Sequence, residues 1–317
     1  MDKKLLEVYN FEDKIRLGNK FDGGYVICKL DIDYDCYISC GVSYDGSFDR
    51  DFLNLYKNIG KNNSFAFDGT IEDYPWHYTN DITFIKKNIS TFNDNNNTNL
   101  DELFNKYNNI FLSMDIESWE FPWILSLTKE KLKKLKQITI EFHGLNGDDW
   151  NFQLSDKIKC LNKLNETHYI MHAHGNNHGG YKDNIPDVLE LTYINKDTLS
   201  YIPEKNKQVF PIKYLDYPNA NKPDYVLNMY PFLDKNLYND IREISLSIPN
   251  TIDIGVSETN SKIINLDKIY PSDTELKFSH DWPDTFEYKF DNDILTITRT
   301  DFNGGWGQYL VGYLELE

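Results

Sequence analysis

Short apolar runs, each closed by a glycine, an acidic residue or a histidine and set apart by helical patterns, recur along the first half of this chain and leave few folds open to it. Tyr34 to Cys40 (YDCYISC) reads as a buried strand and is followed at once by Gly41. Phe48, Phe52, Leu55, Tyr56 and Ile59 then fall on one helical stripe that stops at Gly60. Ser64 to Phe67 closes on Asp68, and Ile82 to Ile85 precedes an asparagine-rich loop at Asn93 to Asn99. Leu100, Leu103, Phe104 and Tyr107 suggest a helix. Ile110 to Met114 closes on Asp115, and Gln137 to Phe142, rich in β-branched residues, closes on His143 and Gly144. Alternation of this kind predicts a parallel sheet covered on both faces, with ligand-binding groups gathered at the carboxyl ends of its strands. His168 to His174 and Val188 to Ile194 have no long helix between them, which predicts an antiparallel pair closing the sheet.

The texture changes after Pro211. LDYPNANKPDYVLN is rich in proline and turn formers and reads as an extended segment leaving the domain, with a boundary near residue 230. Residues 231–317 read as a small β-rich module with a hairpin from FEYKF (286–290) and ILTITRT (294–300), and with an aromatic loop, GGWGQ, near the end. That loop is a candidate subunit contact, so homo-oligomerisation stays open.

Charge narrows the partners. Thirty-three basic residues against fifty acidic ones give a net charge of −17, which repels nucleic acid in the absence of a basic patch. The densest basic run, KEKLKKLK at 129–136, alternates with leucine and reads as the solvated face of a helix. No run of about 18 apolar residues is present to span a bilayer, and the start lacks a secretory apolar stretch, so the expectation is a cytoplasmic protein with no membrane partner. The cysteines at 28, 36, 40 and 160 form no CxxC pair and read as reduced thiols.

The strand ends carry the chemistry. A glycine after the first strand lets a ligand approach the backbone, and an acidic side chain after the second accepts hydrogen bonds from a ribose diol. A nicotinamide dinucleotide uses both devices but also needs a glycine-rich phosphate cradle. The turn CGVSYDGSFD offers only Gly41 and Gly46, and it places Asp45 and Asp49 where a pyrophosphate would sit. A cofactor with a positive centre and no phosphate, S-adenosylmethionine, suits that turn better.

RLGNKFDGGYVI (16–27), ISCGVSYDGSFD (38–49), FAFDGT (65–70), LSMDIESWEF (112–121), IEFHGL (140–145), HGNN (174–177), IPDVLELTYI (185–194) and LDYPNANKPDYVL (215–227) occur in that order. Together they resemble the FkbM-like class I methyltransferases, in particular a branch associated with surface glycans, over roughly residues 14–228. The resemblance implies a Rossmann-like α/β fold, a parallel sheet with an antiparallel final strand, and S-adenosylmethionine as cofactor. It places Asp22, Gly24 and Tyr25 of DGGYV, Gly41, Ser43 and Asp115 at the cofactor, Asp68 on its ribose, and Lys87 and Asn88 beside its adenine. Two departures stand out. Ser118 follows MDIE where a glycine is common, and Ser43 and Gly46 replace a denser glycine cluster.

Methylation of a hydroxyl requires removal of its proton, and a histidine with a near-neutral pKa does this at the least cost. His143 is the first candidate, with Asp115 and His174 next. His172 and His174 share one strand face, and with Glu141, Asn176 and Asn177 they are candidate acceptor ligands. Asp115, Glu141, His143 and the pair His172 and His174 supply ligand types that a divalent ion accepts, so a metal stays open as an alternative, but none is assigned because they lack a dedicated spacing such as HExxH. The expected activity is transfer of a methyl group to a sugar hydroxyl, the sugar being nucleotide-linked and destined for a capsular or other surface glycan. A nicotinamide-dependent oxidoreductase and a non-catalytic glycan-binding protein are the alternatives. A pyrophosphate on the acceptor would draw on Lys20, Lys86, Lys87 and Lys182, the few basic groups near the expected loops.

Overall fold

The structure is a computed structural model of the whole chain. It describes residues 2–75, 77–78, 80–148 and 152–237, together with five strands between 261 and 316. Two compact units form, Met1–Lys235 and Asn236–Glu317.

The first unit opens with an antiparallel hairpin of β1 (Lys14–Leu17) and β2 (Tyr25–Cys28), whose turn contains DGG. Then follow β3 (Cys36–Cys40), α1 (Ser47–Leu55), β4 (Ser64–Phe67) and β5 (Thr83–Ile85). A minimal parallel ribbon, β6 (Asn88–Ile89) with β7 (Asn97–Thr98), brackets the asparagine loop. The helix α2 (Asp101–Lys106) leads to β8 (Ile110–Met114), and α3 (Glu120–Ser126) and α4 (Lys129–Lys134) lead to β9 (Leu135–Phe142). The helix α5 (Leu154–Thr167) precedes β10 (His168–Gly175), a short hairpin of β11 (Tyr181–Lys182) and β12 (Ile185–Pro186), and β13 (Leu189–Asn195).

Seven of these strands make one sheet, in the order β10-β13-β9-β8-β3-β4-β5. The strands β3, β4, β5, β8 and β9 run parallel, while β13 is antiparallel to both of its neighbours. The result is an α/β unit with a mostly parallel mixed sheet, compatible with a Rossmann-like fold. Burial follows the period-2 alternation of strands. Cys36, Ile38 and Cys40 of β3 and Ile110, Leu112 and Met114 of β8 face a cluster completed by Phe104, Phe121, Ile124, Leu132, Leu161 and Leu164 of the helices. Tyr37 and Phe111 face the opposite way, onto Phe48 and Phe52 of α1, where the Tyr37 and Phe52 rings stack at 4.4 Å. Each fully buried ring contributes about 1.5–3 kcal/mol through apolar burial.

The helix α1 is shorter than its stripe suggests. It stops at Leu55, with Tyr56 as its cap, and Ile59 reaches the same cluster from the following turn. The basic run at 129–136 splits between α4 and the start of β9, and Lys131 and Lys133 pair with Asp101 and Asp197. All four cysteines are free and buried.

The segment after β13 departs from expectation, because it does not leave the domain. Residues 210–233 pack back over it, burying Phe210, Leu227, Phe232 and Leu233, so the first unit runs past residue 230 to Lys235. Acidic side chains of the segment meet buried histidines of β10. Asp216 accepts from Nε2 of His172 at 2.8 Å, and Asp224 lies 2.9 Å from Nε2 of His174. Asn177 fastens the turn between them, donating to the Lys222 carbonyl at 2.9 Å and accepting from the Ala220 N–H at 2.7 Å.

In the second unit, β14 (Ser261–Asn265), β17 (Ile294–Arg299) and β16 (Phe286–Asp291) form an antiparallel three-stranded sheet, in which β16 and β17 are a hairpin. The strands β15 (Leu276–His280) and β18 (Gly312–Leu316) pair separately. The GGWGQ loop lies outside the described residues. No helix among the described residues is long and apolar enough to cross a membrane.

Candidate functional site

The carboxyl ends of β3, β4, β8 and β9 converge. The Gly41 N–H donates to the Phe67 carbonyl at 2.9 Å, and the Asp115 N–H donates to the Cys40 carbonyl at 3.0 Å. Gly41 has φ +79°, and a Cβ placed on it would lie 1.6 Å from the Asp115 carbonyl oxygen. No other residue type fits there without moving one strand end.

Two cavities open from this point. The larger, about 540 Å³, is lined by Gly41, Ser43, Asp68, Asn88, Ile89 and Phe92 on one side and by Asp115, Glu117 and Trp119 on the other. Both oxygens of Asp68 are engaged: Oδ2 accepts from the Ser43 N–H at 2.8 Å, and Oδ1 accepts from the Thr70 N–H at 2.7 Å and its hydroxyl at 2.6 Å. A carboxylate offers about four lone-pair sites, so these three bonds orient Asp68 and leave acceptor capacity toward the cavity. The smaller cavity, about 320 Å³, is lined by Asp22, Gly23, Tyr25, Asp45 and Asp49 and shares Gly41, Ser43 and Asp115 with the first. Of the residues lining it, four are acidic (Asp22, Asp45, Asp49 and Asp115) and none is basic.

His143 stands in a ring of carboxylates. Its Nε2 is 3.8 Å from Oδ1 of Asp115, 3.5 Å from Oε2 of Glu117 and 3.8 Å from Oε1 of Glu141, and its Nδ1 is 3.4 Å from Oε1 of Glu120. Burial alone lowers an imidazole pKa, but here the Glu120 contact and the charges of Glu120, Glu141 and Asp115 outweigh it and raise His143 to about 10. The expectation of a near-neutral imidazole is thus corrected: with these neighbours the ring holds its proton at pH 7. Burial pushes Asp115 up to about 7; the His143 charge opposes this, while the charges of Glu120, Glu117 and Asp22 add to it. Glu141 is raised well above the carboxylate range by burial and by the Asp115 and Glu190 charges. It accepts from Asn176 Nδ2 at 2.7 Å and from the Tyr25 hydroxyl at 3.4 Å.

The sequence-derived candidates therefore separate into groups. Gly41, Ser43, Asp68, Asn88 and Asp115 line the larger cavity, and Asp22 and Tyr25 line the smaller. Gly24 lies against Arg16 and the Asn19 carbonyl, where a Cβ would be blocked, so it serves the hairpin turn. Lys87 turns away and donates to the Asp94 carbonyl at 2.6 Å. Glu141 and Asn176 sit behind His143. His172, His174 and Asn177 are buried among the residues that fasten segment 210–233, with both ring nitrogens of His174 facing carboxylates, Glu190 at 3.0 Å and Asp224 at 2.9 Å.

Four contributors lie outside the sequence reading, among them Glu117 at the wall of the larger cavity. Glu120, fully buried, backs His143 and accepts from the Ile116 N–H at 2.9 Å. Phe92 reaches the cavity from the asparagine loop, and Trp119 is 48% exposed at the cavity wall while Phe121 and Trp123 are buried. Glu117 and Ser118 both adopt positive φ, +55° and +77°, which explains why a glycine suits the position after MDIE.

No protein-family model matches the chain, and no curated protein matches it. A chain from the crystal structure of a fibrillarin/Nop5p complex is similar at 8% identity and a TM-score of 0.32, covering 52% of this chain and 74% of that one. That likeness is too remote to inform the chemistry.

Proposed function

We propose that the Met1–Lys235 unit is an S-adenosylmethionine-dependent O-methyltransferase whose acceptor is a sugar hydroxyl, on a nucleotide-linked sugar destined for a surface glycan. The observation that carries the reading is the shared wall of two cavities at Gly41, Ser43 and Asp115. Group transfer needs a cofactor and an acceptor that meet at one point, and the strand ends supply that point. The reversed β13 between β9 and β10 agrees with the sheet implied by the class I methyltransferase resemblance.

The residues present fit this cofactor. Gly41 leaves a gap that any Cβ would fill, and Asp68 retains acceptor capacity for a ribose diol. Asn88, Ile89 and Phe92 provide a partly apolar slot for a purine, and the acidic lining of the adjoining cavity, Asp22, Asp45 and Asp49, favours a positive centre over a pyrophosphate. Asp45 and Asp49 beside Gly41 weigh against a nicotinamide dinucleotide on the same electrostatic ground. S-adenosylmethionine bound here would supply a methyl group on a sulfonium. Asp115, which lines both cavities and lies 3.8 Å from Nε2 of His143, is the group placed to take up the acceptor's hydroxyl proton.

Titration calorimetry with S-adenosylhomocysteine and with NAD tests the reading. Binding of the first and not the second supports it, and binding of NAD alone would replace it with the oxidoreductase. A mass-spectrometric screen of nucleotide sugars for a gain of about 14 Da, one methylene, then identifies the acceptor.

A further inference from the structure

The acidic junction poses an electrostatic problem for the proposed acceptor. A nucleotide-linked sugar is anionic, and of the four lysines near the loops three are engaged elsewhere, while Lys182 is exposed on β11 and lines neither cavity. Lys86 pairs with Glu72 at 2.5 Å, Lys87 donates to the Asp94 carbonyl, and Lys20 lies over the Tyr217 ring.

Around His143 the geometry is that of a ligand set. One atom each from Asp115, Glu117 and His143 lies within 4.8 Å of the others. The carboxylate oxygens stand 3.5–3.8 Å from Nε2, too far for hydrogen bonds but suited to a shared ion between them. Metal–nitrogen and metal–oxygen bonds of about 2.0–2.2 Å bring ligand atoms on one ion to roughly such separations. A further observation points to a missing partner. Oδ1 of Asp115 is buried and accepts no hydrogen bond although it faces this gap. Buried acceptors of this kind are costly unless a ligand completes them. Glu120 also stands at the far nitrogen of His143, where a metal-bound imidazole commonly meets a carboxylate that fixes its tautomer and aims the other nitrogen at the ion.

We infer that Asp115, Glu117 and His143 bind one divalent cation beside the junction of the two cavities, the ion taking the place of the proton on Nε2 of His143, which is released to solvent, with Glu120 positioning the ring. Two carboxylate oxygens and one imidazole, with room for further oxygen ligands, suit an ion of the Mn²⁺ type. The ion's role rests on the methyltransferase reading. It offsets the acidic wall and gives an anionic, hydroxyl-bearing acceptor an electropositive contact beside Asp115. The site itself stands on the side chains alone.

Titration of the full chain with Mn²⁺, followed by the loss of the free-ion electron paramagnetic resonance signal, tests this without any activity assay. One saturable site per chain is expected, weakened at least about tenfold in Asp115→Asn and in His143→Gln, and about 10- to 100-fold in Glu120→Gln. Glu102→Gln, which removes the same charge from an exposed position outside the cluster, should leave the affinity unchanged. Thermal unfolding of each metal-free variant confirms that it is folded, and Glu117→Gln, on an exposed side chain, keeps the test decisive if a buried variant does not fold. Absence of saturable Mn²⁺ binding, or equal affinity in Glu117→Gln and the folded Asp115 and His143 variants, overturns the inference. S-adenosylhomocysteine binding without Mn²⁺ binding rejects the metal site and leaves the methyltransferase reading standing; Mn²⁺ binding without S-adenosylhomocysteine binding does the reverse.

Discussion

The Cα of Gly41 and the carbonyl of Asp115 are so close that a methyl group on the first would sit 1.6 Å from the oxygen of the second. Two parallel strands thus end with their backbones in contact, and both cavities open on that contact. Gly41→Ala is expected to cost roughly 1–2 kcal/mol for the left-handed backbone alone, with the clash added to it. It should also abolish S-adenosylhomocysteine binding, because relief of the clash must move a strand end into the cavity. Urea denaturation and calorimetry measure the two effects separately. A variant with wild-type stability and affinity would show that the contact is not what shapes the site.

Asp68 offers a milder perturbation. Asp68→Asn keeps the size of the side chain while removing the charge, and its single amide oxygen can accept from only one of the Ser43 and Thr70 N–H groups. If Asp68 accepts bonds from a ribose diol, affinity for S-adenosylhomocysteine should fall by about 1.5–3 kcal/mol, roughly 10- to 150-fold. Unchanged calorimetric affinity would take Asp68 out of the binding site.

These residues were legible in the sequence because position alone identifies them. A glycine or aspartate directly after a short β-branched or aromatic run stands at a sheet edge whatever the rest of the chain does. Ser64 to Phe67 and Ile110 to Met114 coincide with β4 and β8 for the same reason. The hairpin of β1 and β2 was less legible as structure, since RLGNKFDGGYVI spends half its length on turn residues. The helix α5 gave little signal because its buried face mixes Lys157 with Cys160, Leu161 and Leu164. Glu120 sits among the aromatics of SWEFPW, and only tertiary packing brings it to His143. The aspartates that engage His172 and His174 lie 44 and 50 residues away along the chain, so a local pattern shows only a strand with two histidines.

His168 provides a pH test that is independent of the candidate site. The ring is fully enclosed, with Nδ1 2.8 Å from the Thr167 hydroxyl and Nε2 2.9 Å from the Leu135 carbonyl, an arrangement that satisfies the neutral form. Burial pushes its pKa down to about 4, against bonds to Leu135 and Leu164 that favour the charged form. Between pH 6.5 and about 4 the unfolded chain binds a proton at this residue that the folded chain does not, so this contribution to stability is complete above 6.5 and is lost as pH falls. The span corresponds to roughly 3 kcal/mol. Unfolding free energy followed across this range should fall less steeply in His168→Gln than in the wild type, and equal slopes would remove His168 as the source.

His174 should respond in the opposite sense. Burial lowers an imidazole pKa, yet the carboxylates of Glu190 and Asp224 on its two nitrogens outweigh that and raise it well above 6.5. The folded chain therefore keeps a proton that the unfolded chain releases near 6.5. The stabilisation is fully present below that pH and is lost as the solution becomes alkaline enough to titrate the folded ring. Removing one member of a buried ion pair typically costs about 3–5 kcal/mol, because the carboxylates left behind remain desolvated. His174→Asn is accordingly expected to lower the urea midpoint sharply at neutral pH and to flatten the alkaline decline in melting temperature. If that variant instead keeps its stability and its alkaline profile while losing methyl transfer, His174 belongs to the chemistry, and the fastening of segment 210–233 must be assigned to His172 and Asn177 alone.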